Sequence, residues 1–130
     1  MKILIAEDNP LNQRIIMAYL KMDQHEVVLA VNGKLAVNQF LAGQYDCILM
    51  DLHMPSMDGF AATRAIRESE AGKHIPIVAV TASAPYEDKS KCFEAGMNDF
   101  LQKPVQLNDL RRIMANVKSG AYQNQQNTSI

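Results

Sequence analysis

The chain has 130 residues, of which 48% are hydrophobic and 21% charged, with a formal net charge of -1. That size suits one domain able to bury a core without metals or disulfides, and the near-neutral balance excludes a strongly basic nucleic-acid or membrane surface. The two cysteines, Cys47 and Cys92, lack metal-ligand spacing and read as reduced thiols.

Lys2 to Ala6 is a short apolar run that ends in Glu7 and Asp8. Asn9 is placed to cap a helix that Pro10 starts, since a proline in the first turn withholds only an amide that would be orphaned anyway. Leu11, Ile15, Tyr19 and Met22 recur at helical spacing and are the expected buried face. Val27 to Val31 is β-branched and apolar. The following Asn32 and Gly33 alone would signal a hairpin, but Leu35, Ala36, Val37, Phe40 and Leu41 have helical spacing, with Gly43 as a C-cap. Tyr45 to Met50 is a third strand, delivering Asp51 to its end, and a helix from Asp58 to Glu68 comes next with Asp58 as N-cap.

Ala71 to His74 is a loop, and Ile75 to Val80 is a fourth strand that ends in Thr81, Ala82 and Ser83. The next helix, Tyr86 to Ala95, is polar, with Phe93 its one large apolar interior residue, so its packing is expected to be thin. Gly96 ends it, Asp99 to Gln102 is a fifth strand, and Lys103 and Pro104 come after it. The last helix carries Leu107, Leu110, Met114 and Val117 on one face, and from Lys118 onward a polar composition predicts a flexible tail over 118–130. Five strands alternating with five helices predict right-handed crossovers and a doubly wound α/β domain, a parallel sheet between two helical layers, over residues 1–117. Glycine-rich nucleotide fingerprints are absent: Asp8 and Asn9 stand where a phosphate loop needs glycines. The first strand begins almost at Met1 and no apolar run reaches membrane-spanning length, so the cytoplasm is the expected compartment.

Asp51 alone reads equally as a turn residue or as a reactive acid. In a parallel sheet, however, the ends of the first, third, fourth and fifth strands converge, bringing Glu7, Asp8, Asp51, Thr81 and Lys103 to one edge. Clustered carboxylates repel, so they share protons or hold a cation, and a few carboxylates with open water positions suit Mg²⁺. A metal beside a nucleophilic carboxylate, a hydroxyl and a lysine is equipment for phosphoryl transfer, with Asp51 attacking phosphorus.

These residues resemble the receiver domains of two-component signalling. The resemblance covers residues 2 to 117. It is carried by Glu7 and Asp8, by Asp51 followed by Met54, Pro55, Met57, Asp58 and Gly59, by Thr81 with Ala82, by Phe100, and by Lys103 with Pro104. It implies a flavodoxin-like (βα)5 fold, Asp51 as phosphoacceptor, Mg²⁺ held by Glu7, Asp8, Asp51 and the backbone carbonyl of His53, and Thr81 and Lys103 on the phosphoryl group. It further implies phosphoryl access beside Ala82, a cis peptide between Lys103 and Pro104, and a switch in which Thr81 and Phe100 reshape the face of the fourth helix, fifth strand and fifth helix. That face is also the candidate homodimer surface. The stretches Asn9 to Asn12 and Lys103 to Val105 look most like receivers of hybrid histidine kinases, implying a histidine kinase or a histidine phosphotransfer domain as partner.

Two readings compete. A Mg²⁺-dependent aspartyl-phosphate phosphatase normally wants an acid two residues beyond the nucleophile, where this chain has His53. A phosphorylation-independent interaction module would gain nothing from mutually repelling acids. The expected protein is a signalling domain that phosphorylates and dephosphorylates itself rather than a turnover enzyme. His53 and Ser83 at the rim would tune hydrolysis, His25 and His74 have no assigned role, and Met54 and Met57 read as packing residues.

Overall fold

Each apolar run becomes a strand, buried on both faces in the centre of the sheet and half-buried at its edges, and each intervening segment a crossover helix. In the computed structural model, which describes residues 1–82 and 86–123, the elements are β1 (Lys2–Ala6), α1 (Pro10–Met22), β2 (Glu26–Ala30), α2 (Gly33–Ala42) and β3 (Cys47–Asp51), then α3 (Gly59–Glu68), β4 (Ile77–Thr81), α4 (Tyr86–Ala95), β5 (Asp99–Gln102) and α5 (Leu107–Ser119). All pairings are parallel and the strand order is β2-β1-β3-β4-β5. The expected doubly wound, three-layer architecture is the observed one.

The period of two along each strand divides the core into two layers. Leu4, Ile48, Met50, Ile77 and Ala79 face Phe40 of α2, Ile66 of α3 and Cys92 of α4. Ile3, Ile5, Cys47, Leu49, Val78 and Val80 face Ile16 and Leu20 of α1 and Leu110 and Ile113 of α5. Thus α1 and α5 cover one face of the sheet, while α2, α3 and α4 cover the other. Both cysteines are buried.

Several local expectations are corrected. The buried face of α1 is Ile16 and Leu20, not the row through Leu11 and Met22, which are 64% and 60% exposed. In α4, Cys92 is buried and Phe93 is 53% exposed, because the helix turns its smaller neighbour toward the sheet. Gly43 caps α2, but with φ −141°, so no left-handed residue is needed there. β4 begins at Ile77 rather than Ile75, because Pro76 has no amide to donate; its carbonyl instead accepts from the Ile48 amide at 2.9 Å.

The stretch expected to be a tail is partly inside the fold. α5 runs to Ser119, ends on left-handed Gly120, and is followed by Tyr122, which is 2% exposed within the α1–α5 layer. The Tyr122 hydroxyl donates to Asp99 Oδ2 at 2.8 Å, and Gln123 Nε2 donates to the His74 carbonyl at 2.8 Å. The remainder of the expected tail, 124–130, lies outside the described residues, as does Ser83.

Candidate functional site

Strand order places the site. The chain turns from β1 outward to β2 and then back across to β3, so the crevice opens beyond the carboxyl ends of β1 and β3. Register aligns Ala6 with Met50 and Asp51 with Val80, which sets Glu7 beside Asp51 and Thr81 just beyond. Thr81 is aligned with Gln102, and the Lys103 amide donates to the Thr81 carbonyl at 2.7 Å, delivering Lys103 to the same edge. The Lys103–Pro104 peptide is cis.

One carboxylate oxygen from each of Glu7, Asp8 and Asp51 lies within 4.8 Å of the others. Glu7 and Asp51 are 1% and 4% exposed, while Asp8 is exposed. Lys103 Nζ stands 3.1 Å from Glu7 Oε1 and 3.2 Å from Asp51 Oδ2, a single cation shared by two buried acids. The Asp51 Oδ1 accepts from the His53 amide at 3.3 Å. Burial pushes the Glu7 carboxyl above its ordinary range, opposed by the Asn12 hydrogen bond, reinforced by the charge of Asp51, and opposed again by Lys103. One lysine does not balance three acids, and the buried Glu7 Oε2 has no hydrogen-bond partner among the described residues. An all-oxygen donor set with an unsatisfied buried oxygen fits a hard divalent cation, so Glu7, Asp8 and Asp51 can hold one.

The loop after β3 is shaped by close approach. A Cβ on Gly59 would sit 2.2 Å from the Asp51 carbonyl, so only glycine lets α3 begin directly beneath the acid. Asp58 caps that helix by accepting from the Ala61 amide at 2.8 Å, and Ser56 takes a left-handed φ of 70°. Met54 and Met57 pack against the core, as expected of them, and His53 is exposed at the rim.

Thr81 is buried, Ala82 is exposed, and Phe100 is half-buried, aligned with Ala79 two residues before the Thr81–Gln102 pair. The structure therefore brings Glu7, Asp8, Asp51 and Lys103 together, with Thr81 at the neighbouring strand end and Phe100 one step back along β5. Sequence reasoning missed Asn12 and Gln13, whose side chains donate to Glu7 Oε1 at 3.0 Å and to the Glu7 carbonyl at 2.8 Å. It also missed Arg67, whose guanidinium binds the carbonyls of Gly72, Ile75 and Gly96 and the Asn98 side chain, tying the loops before β4 and β5 together. Burial lowers the Arg67 pKa to about 10. Polar helix positions give no sequence signal of this kind.

Comparison with known proteins agrees with this geometry. Residues 3–115 match the response regulator receiver domain family. The chain is 47% identical over 120 residues to hybrid signal transduction histidine kinase B of Dictyostelium discoideum, a match covering 84% of this chain and 6% of that protein's length. It is 46% identical, with a TM-score of 0.81, to the receiver domain of a Pseudomonas aeruginosa sensor histidine kinase solved with a magnesium ion in its active-site cleft, covering 86% of this chain and 92% of that one. It is also similar to the Saccharomyces cerevisiae receiver domain co-crystallised with its histidine phosphotransfer protein: 37% identical, TM-score 0.78, covering 85% of this chain and 83% of that one.

Proposed function

The chain belongs to the response regulator receiver domain family, and from that premise we propose that it accepts a phosphoryl group on Asp51 from a phosphohistidine, as a hybrid-kinase type of receiver. The observation that carries the proposal is the sharing of Lys103 between Glu7 and Asp51 at the mouth of the acid cluster.

Asp51 presents a carboxylate oxygen at the end of the central strand. The P–O bond to that oxygen forms as the donor's P–N bond breaks, leaving an aspartyl phosphate and free imidazole. Lys103, already 3.2 Å from Asp51 Oδ2, stabilises charge on the transferring group's oxygens. Thr81 donates a hydrogen bond to one of those oxygens, and the exposed Ala82 leaves the approach open. Glu7, Asp8, Asp51 and the His53 carbonyl would hold Mg²⁺, which when bound would neutralise the acids and the incoming phosphoryl charge.

The partner is a histidine kinase or histidine phosphotransfer domain, and the α4–β5–α5 face carries the response, with homodimerisation through that face as its reading. Among the described residues no helix is long and apolar enough to cross a membrane, and we place the domain in the cytoplasm. The receiver unit extends past the expected boundary at 117 to take in Tyr122, which packs in the α1–α5 layer. The exposed His53 where a phosphatase needs its second acid favours a receiver over a turnover enzyme.

Incubation with Mg²⁺ and acetyl phosphate, followed by intact mass measurement, tests the proposal. The wild type is expected to gain one phosphoryl group only when Mg²⁺ is present, and Asp51→Asn none. No gain in the wild type, or an equal gain in Asp51→Asn, would remove Asp51 from the reaction.

A further inference from the structure

The two oxygens of the Glu7 carboxylate are treated unequally. Asn12 Nδ2 at 3.0 Å and Lys103 Nζ at 3.1 Å both donate to Oε1, while the buried Oε2 receives nothing from the described residues. Two donors could satisfy one oxygen each. They converge on one because Lys103 is also held by Asp51, and because Asn12 reaches Glu7 from the first turn of α1.

Asn12 is not needed for the helix itself. The cap of α1 is Asn9, whose Oδ1 accepts from the backbone amides of Leu11 and Asn12, and the Asn12 side chain takes no part in it. Next to it, Gln13 Nε2 fixes the Glu7 carbonyl at 2.8 Å. The first turn of α1 therefore grips Glu7 at both its backbone and its carboxylate.

We infer that Asn12 is a positioning residue for the metal: it fixes the Glu7 carboxylate so that Oε2 stays available to a divalent cation or to that cation's water, while Oε1 is kept occupied. Lys103 is the donor that must turn toward an incoming phosphoryl group. Asn12 then remains as the partner of Oε1, so the carboxylate does not rotate as Lys103 leaves. Outer ligands of this kind orient a metal-binding carboxylate and contribute to affinity without touching the ion. The inference rests on the reading of the acid cluster as a Mg²⁺ site.

The test is Mg²⁺ titration of wild type, Asn12→Ala and Asn12→Leu, read by calorimetry and by backbone amide NMR shifts at Asp8 and Asp51. Both variants keep the Asn9 cap, and their NMR spectra report whether they are folded. Asn12→Leu restores the side-chain bulk without a donor, which separates packing from hydrogen bonding. Mg²⁺ affinity is expected to fall about 10- to 100-fold in both variants. In the acetyl phosphate reaction the half-saturating Mg²⁺ concentration should rise by the same factor, with little change in the rate at saturating Mg²⁺. Wild-type affinity in both variants, or recovery in Asn12→Leu, would overturn the role of Asn12. Absence of Mg²⁺ binding in the wild type would overturn the metal reading itself, and this inference with it.

Discussion

The ammonium of Lys89 lies 4.3 Å from the centroid of the Phe100 ring, so the aromatic of β5 is capped by a cation from α4. Such a contact contributes about 0.5–1 kcal/mol at a partly exposed site. It holds two elements together across the surface expected to respond to phosphorylation. Lys89→Gln should leave acetyl phosphate labelling unchanged, yet shift the Phe100 ring resonances and narrow the difference in partner affinity between phosphorylated and unphosphorylated forms. Phe100→Ala should also accept phosphate and lose most of that difference. Full discrimination in Phe100→Ala would discard the switch.

Lys103 is the only cation bonded to the two buried acids among the described residues. Removing it as Lys103→Met leaves both carboxylates uncompensated, with an expected loss of roughly 3 kcal/mol at neutral pH that Mg²⁺ should partly restore. Urea midpoints with and without Mg²⁺ measure both effects.

The pH dependence originates in Glu7, whose carboxyl is raised above its ordinary value of 4.5, first by burial and then with help from Asp51. A raised folded-state value means that the folded protein binds the proton more tightly. The stabilisation is complete below 4.5 and is lost as pH rises through the raised value. Asp51→Asn removes one source of the shift. Urea midpoints tracked upward from about pH 4.5 in the absence of divalent metal should therefore fall less steeply for Asp51→Asn than for wild type. Parallel pH profiles would show that the Asp51 charge does not reach Glu7.

Gly59→Ala would drive a Cβ to 2.2 Å from the Asp51 carbonyl and 2.9 Å from Leu52 Cα. Backbone must move to relieve it, and overpacking of this kind costs about 1–3 kcal/mol. Because the clash lies beneath the Asp51 carboxylate, the labelling rate should fall along with the urea midpoint. A lowered midpoint with an unchanged rate would mean that the β3–α3 loop absorbs the strain alone.

Tyr122→Phe deletes the hydroxyl that donates to Asp99 Oδ2, leaving that hydrogen bond unmade at a cost of about 1–2 kcal/mol. Burial raises the Tyr122 pKa above its ordinary 10. Its contribution is present below that value and is lost as pH climbs beyond it. Alkaline unfolding should therefore be less steep in Tyr122→Phe, as measured by urea midpoints above pH 10.

Strand ends were readable because the chemistry there is local: an apolar run must stop, and the residues just past its end face the crevice. That logic located Glu7, Asp8, Asp51, Thr81 and Lys103. The face of α1 was not readable, because apolar residues run almost unbroken from Ile15 to Leu20 and periodicity cannot select Ile16 and Leu20 from them. Asn12 and Arg67 were hidden for another reason. Each acts through hydrogen bonds to groups on other elements, Glu7 beyond β1 and the carbonyls before β4 and β5, and polar helix residues look alike until the fold joins them. Tyr122 did carry a signal, a lone aromatic in a polar stretch, but composition outweighed it.

Strand order also sets where the molecule is stiff. β3, which ends in Asp51, has a neighbour on each side, whereas β5 has only β4. A strand with two ladders is released only when the sheet itself parts, while an outermost strand has half as many backbone ties to break. On the proposed function, a covalent mark at Asp51 would fall on the doubly paired strand, and the singly paired β5, where Phe100 sits, would be the easier one to displace. In that case the domain would act as a lever whose fulcrum is the middle of its own sheet.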